Sequence, residues 1–144
     1  MRSLPVRRLI ASPHSRALET AEIIADEVNL PVAVEPLVAE RFCFICDIGS
    51  PLGELRARWP QFVFDHLADP WWPRMEETKE RISQRAQYFR CRIACEAWSE
   101  VAVVTLWGFI RALTGLKVPN GAVLRIDPTR PDREPGPVLI PAAG

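Results

Sequence analysis

The sequence predicts an α/β domain built on a mainly parallel sheet flanked by helices, and three observations lead there. The chain has 144 residues, 48% of them apolar, which suits one domain with a real core. Short apolar runs alternate with segments of helical periodicity along most of the chain, the order that βα units produce. One run, Val101 to Thr105 in VAVVT, is apolar without interruption, as in a strand buried on both faces. The domain is expected over residues 1–127, and the proline-dominated residues 128–144 as a flexible tail.

The elements follow in chain order. Residues 7–11, RRLIA, read as a first short strand. Ser12 suits an N-cap and Pro13 the first helical position, where its missing N–H has no intrahelical partner to lose. Ala17, Ala21, Ile24 and Val28 then recur at helical spacing, with Asn29 as a stop. LPVAVEPLV reads as a second strand, RFCFICDIGSPLGELRARWP as a loop containing a brief helix, and DHLADPWWPRM as an aromatic, proline-rich loop. The longest helix is expected over about residues 76–98, carrying Ile82, Ala86, Phe89 and Ile93 as its apolar line. After VAVVT, GFIRALTG makes a helix ended by Gly115, and Pro119-Asn120-Gly121 turns into a strand over 122–126.

Composition narrows the function. Eighteen basic and eighteen acidic residues cancel, and no extended basic stripe forms, so neither nucleic acid nor a membrane is expected as a partner. There is no apolar run of about 18 residues, and the apolar core near the N-terminus is too short for a signal peptide, so a cytoplasmic location is expected. Cys43 and Cys46 form a CxxC, and Cys91 and Cys95 lie one helical turn apart. The two pairs are distant in sequence, so reduced thiols filling small spaces are expected in preference to zinc, and no metal or cofactor is expected.

Three stretches carry chemistry. In SPHSRALETA, Arg16 falls in the first turn of a helix, where free amides and a guanidinium together favour an anion. In EPLVAERF, Glu40 and Arg41 follow an apolar strand, so Glu40 could serve as a general acid or simply pair on the surface. The corner Thr105-Leu106-Trp107-Gly108 follows a buried strand, where open α/β sheets bind ligands, and the amides of residues 107–109 would face one. Leu106 and Trp107 supply neither a proton nor a charge.

In order and spacing these stretches resemble the histidine phosphatase superfamily, which includes the phosphoglycerate-mutase-like proteins. SPHSRALETAEIIA is similar to that family's S-P-x-x-R-A-x-x-T-A segment through Ser12, Pro13, Arg16, Ala17, Thr20 and Ala21. EPLVAERF resembles the segment supplying the general acid, and VAVVTLWGFIRALTG resembles V-x-V-V-S-H-G-G-x-I-R-A-L. The resemblance runs from about residue 7 to residue 127. It implies a phosphoglycerate-mutase-like fold, phosphomonoester hydrolysis through phosphohistidine, and a phosphorylated small molecule or phosphate anion as partner. Arg16, Ser12, Trp107 and Gly108 would bind phosphate, and Glu40 would be the general acid.

Two departures bear on activity. The family's first strand ends in Arg-His-Gly, whose histidine attacks phosphorus, and no Arg-His-Gly occurs here. The chain starts where the family's second strand is expected. Leu106 stands at the position of a second histidine that donates a hydrogen bond to the phosphoryl group. Loss of one such donor costs about 100- to 1000-fold in rate, and loss of the nucleophile removes the covalent route.

His14 is expected at the pocket rim, and His66 lies in a segment with no carboxylate arranged to orient it, so neither is expected to replace the nucleophile. A sheet short of an interior strand invites pairing with another chain, so a homodimer is expected. Trp71, Trp72, Phe62 and Phe64 are expected to cap site and core more than to form that contact. Three readings stand: an impaired phosphatase retaining an anion site, an active phosphatase completed by an upstream Arg-His-Gly segment, and a metal- or partner-binding module.

Overall fold

A computed structural model describes residues 5–132 and 134–139. Its centre is a three-stranded parallel sheet in the order β2-β1-β3, with β1 at Arg8–Ala11, β2 at Val32–Val34 and β3 at Val101–Val104. Leu9 pairs with Val32 on one side and with Ala102 on the other, so the strand nearest the N-terminus is the middle one. Four helices complete the layers: α1 (Ser15–Val28), α2 (Leu52–Arg58), α3 (Lys79–Ala94) and α4 (Trp107–Thr114).

Strand alternation divides the core in two. Leu9 and Ala11 of β1 face Leu18 and Ala21 of α1 and Leu52, Leu55 and Trp59 of the α2 segment. Ile10, between them, faces the opposite layer, with Val38, Ala86, Phe89, Ile93 and Phe109 from α3, α4 and the loop before them. All four residues of the α3 apolar line are buried, as the periodicity required. Phe64 is buried in the first cluster and Phe62 stacks on Trp59, so both serve the core.

Several expectations are corrected. Ser12 does not cap α1: its amide donates to the Val104 carbonyl at 2.9 Å, which keeps it in the sheet ladder, and His14 occupies the N-cap instead. Both left-handed stops hold, with Asn29 at φ 52° and Gly115 at φ 76°. The second strand is only Val32–Val34, because Pro36 diverts the chain into a 3₁₀ turn over Pro36–Val38. The third helix is shorter than expected, from Lys79, where the Thr78 hydroxyl accepts from the Arg81 amide, to Ala94.

β3 is not buried on both faces. It is an edge strand whose four residues are all partly exposed, pairing among the described residues with β1 alone. In the C-terminal stretch, Gly136–Leu139 forms β5, antiparallel to β4 at Val123–Arg125 in a separate two-stranded sheet. Of the proline-rich residues 128–144, position 133 and positions 140–144 lie outside the described residues. No helix among the described residues is long and apolar enough to cross a membrane.

Candidate functional site

The three sequence stretches emerge at one end of the sheet. Ala11 is in register with both Val34 and Val104, so residues 12–16, 35–41 and 105–109 all leave from the carboxyl ends of adjacent parallel strands. Two bonds continue the ladder past the last paired residues: Ser12 N–H to Val104 O, and Glu35 N–H to Ala11 O at 2.8 Å. The Thr105 hydroxyl donates to the Val38 carbonyl, tying the corner to the segment leading to Glu40.

Ser12 is fully buried, and its hydroxyl accepts from the His14 amide at 3.3 Å, fixing the turn into α1. The sequence expectation for His14 is overturned. With 3% of its surface exposed, it forms part of a cavity wall, its ring edge-on to Trp71 at 4.9 Å. Burial, reinforced by the cations of Arg16 and Arg85 and opposed by Asp47, pushes its pKa down from 6.5 to about 4. His14 is therefore a neutral imidazole at pH 7. His66 has a structural bond instead, its Nε2 lying 2.6 Å from the Val34 carbonyl.

Arg16 stands in the first turn of α1 as expected and is half-exposed. Its guanidinium donates to the Cys46 carbonyl at 3.3 Å and lies 3.7 Å from Asp47 Oδ1. Asp47 was not anticipated from the sequence. Buried at the end of a 3₁₀ turn over Ile45–Asp47, it accepts the amides of Cys43 at 3.1 Å and Phe44 at 2.8 Å. An aspartate two residues before Gly49, in a segment rich in turn formers, was the available signal.

Glu40 and the corner meet directly. Glu40 Oε1 accepts the Arg41 amide at 2.8 Å and presses against the α-carbon of Gly108. Burial raises the Glu40 carboxyl above its ordinary value; the amides of Arg41 and Gly108 and the Arg16 cation pull against this, while Asp47 adds to it. A carboxylic acid that holds its proton longer suits a general acid.

The loop carrying Glu40 is clamped by Arg85, which sequence reasoning also missed. Its Nη1 donates to the carbonyls of Leu37 and Ala39, both at 2.7 Å, and its Nη2 to that of Glu40 at 3.3 Å. The same guanidinium holds Glu77 in a fork, at 3.0 and 2.7 Å. Thr78 as the helix cap places Glu77 just ahead of α3 and Arg85 two turns inside it, beside the buried Ala86 and Phe89.

Together these residues enclose a cavity of about 320 Å³ whose wall includes His14, Glu40, Asp47, Trp71, Trp72 and Arg85. Of the residues expected to bind phosphate, Ser12, Arg16, Trp107 and Gly108 do not line it, and neither does Leu106. Leu106 is the N-cap of α4 and makes no side-chain cap bond, and the Trp107 ring is 44% exposed under the Arg111 guanidinium. The thiols do not fill small spaces: Cys46, Cys91 and Cys95 are exposed, and Cys43 bonds Glu76 at 3.3 Å. Among the described residues no three His, Cys, Asp or Glu side chains are grouped to hold a metal ion.

The chain is thus an α/β domain with a parallel sheet between helical layers, and an arginine, a raised carboxyl and a strand-to-helix corner gather at the carboxyl end of that sheet. Residues 1–129 match the histidine phosphatase superfamily (branch 1), and the chain belongs to that family. It is also 28% identical over 132 residues to a curated protein of Schizosaccharomyces pombe named as a probable phosphatase, the match covering 83% of this chain. The chain spans about 60% of the length of that curated relative.

Proposed function

We propose that this chain is a histidine-phosphatase domain in which phosphomonoester hydrolysis through phosphohistidine is lost or strongly impaired, and which keeps an anion site at Arg16, Ser12 and the Trp107–Gly108 corner. The observation that carries this reading is Leu106 at the N-cap of α4, beside the Gly108 that Glu40 touches. A leucine there offers no hydrogen bond to a phosphoryl oxygen as charge builds on it. Glu40 remains able to hold a proton for a leaving group, which by itself does not replace a nucleophile.

Hydrolysis of 4-nitrophenyl phosphate by the purified chain tests this. No turnover above the buffer rate is expected, and robust turnover that disappears in Arg16→Ala would overturn it. Inorganic phosphate binding, followed by calorimetry, should weaken about 10- to 100-fold in Arg16→Ala, the range for losing charge-assisted hydrogen bonds.

A second reading draws on the open edge of β3. A further strand carrying Arg-His-Gly along that edge would complete an active phosphatase. Its histidine nitrogen would attack phosphorus, the ester P–O bond would break as Glu40 gives its proton to the departing oxygen, and water would then cleave the P–N bond. On this reading, restoring Leu106→His in a chain that includes such a strand raises hydrolysis by about 100-fold or more. An unchanged rate counts against it.

A further inference from the structure

The cavity beside Glu40 has walls of two kinds. One is aromatic: the Trp71 indole donates to the Ser50 carbonyl at 3.0 Å and lies over Gly49, where a β-carbon would come within 2.1 Å of its ring. Trp72 stands nearly perpendicular to it, at 5.5 Å between centroids and 86° between planes, and Phe42, Pro36 and Pro73 continue the apolar lining. The other wall is rich in carboxyl groups. Glu40, Asp47 and Glu77 all face the cavity, and the guanidinium in that wall, Arg85, is already committed to Glu77 and three carbonyls.

Between the two walls sits His14. It is 3% exposed, lines the cavity, and among the described residues no group hydrogen-bonds its ring. A ring nitrogen that opens on the cavity can hydrogen-bond a molecule held there. Because the imidazole is neutral at pH 7, it can donate or accept without adding a charge that would attract an anion.

We propose, resting on the phosphate-site reading above, that this cavity receives the alcohol portion of a phosphoester and selects one that is aromatic and carries no second negative charge, with His14 as its polar contact. Flat rings stack on pre-positioned indoles at little ordering cost. A carboxylated or multiply phosphorylated substrate would bring a second anion against Asp47, with the Arg85 cation already held by Glu77 and not available to receive it.

Five ligands, tested on the full chain and on two variants of it, separate this inference from the reading it rests on. Phenyl phosphate should bind at least about tenfold more tightly than inorganic phosphate, the gain expected for burying one ring, and 2-phosphoglycolate should bind more weakly than phenyl phosphate by a similar factor. Trp72→Ala should bring the phenyl phosphate to phosphate ratio close to one. Phenol, which carries no phosphate, should shift the Trp71 indole N–H resonance, bind more tightly than toluene, and lose that advantage in His14→Leu.

If inorganic phosphate binds but phenyl phosphate gains nothing over it, or if phosphoglycolate matches phenyl phosphate, the cavity proposal is overturned and the phosphate site stands. If inorganic phosphate fails to bind while phenol shifts the indole resonance, the phosphate-site reading falls and the aromatic cavity stands. Absence of any phenol shift together with no phenyl phosphate preference overturns the cavity proposal in wild-type protein, independently of how the variants fold.

Discussion

The Glu40 carboxylate and the Gly108 α-carbon are in such close contact that a methyl group added at Gly108 would lie 2.2 Å from Oε1 and 3.0 Å from the Arg41 β-carbon. Gly108→Ala normally favours a helix by about 1 kcal/mol, but here the overlap outweighs that gain. A net loss of about 1–3 kcal/mol in urea unfolding is expected, together with displacement of Glu40. A stabilised Gly108→Ala protein would mean that the Glu40 side chain does not rest on the corner.

Arg85 should be one of the most costly residues to truncate. Arg85→Ala leaves Glu77, only 11% exposed, without its cation, and frees three carbonyls at once. Breaking a buried pair from one side costs about 3–5 kcal/mol. The double change Arg85→Met with Glu77→Gln should recover part of that loss in urea melts, because the unpaired charge is gone; equal or greater loss in the double variant would contradict the clamp.

His14 gives stability a pH dependence of defined sign. Its folded pKa, lowered from 6.5 to about 4, means that the unfolded chain binds a proton first as the solution is acidified. Stability from this group is complete above pH 6.5 and is lost as pH falls toward 4, by about 3 kcal/mol at about 1.4 kcal/mol per unit. Glu40 acts in the opposite sense: its raised pKa lowers stability as pH rises past the ordinary glutamate value of 4.5. Unfolding measured from pH 4 to 7 should flatten in His14→Gln, and Glu40→Gln should remove the opposing slope.

The open edge of β3 leads to a prediction about assembly. Its residues Val101 to Val104 are apolar and partly exposed, and such an edge is a template for another strand. We expect concentration-dependent dimerisation by sedimentation equilibrium, reduced by Val103→Lys. A monomer at every concentration would remove the homodimer from consideration.

Much of the fold was legible because its signals are local. The apolar lines of α1 and α3 and the stops at Asn29 and Gly115 each follow from a few neighbouring residues. β3 was misread for a complementary reason: VAVVT has the composition of a doubly covered strand, but coverage depends on what packs beside it, which composition does not encode. The site was legible where a motif named a residue, as for Arg16, Glu40 and Gly108. Asp47, Glu77 and Arg85 were hidden because their places in the site come from contacts distant in sequence: Asp47 with Arg16, the Glu77 carbonyl with Arg41, and Arg85 with the Leu37 carbonyl. His14 was misplaced because a two-residue shift of the helix start, from Ser12 as cap to His14, turns its ring inward.

The central position of β1 has a consequence for biosynthesis. One flank of this strand is satisfied early, by β2 at residues 32–34, whereas the other waits for β3 at residues 101–104. On the ribosome the βαβ unit over residues 8–34 can close long before its second ladder exists, leaving one side of β1 exposed while most of the chain is made. Nascent chains stalled after α3 should therefore be cut readily within residues 8–34, and chains stalled after Gly115 should resist the same protease.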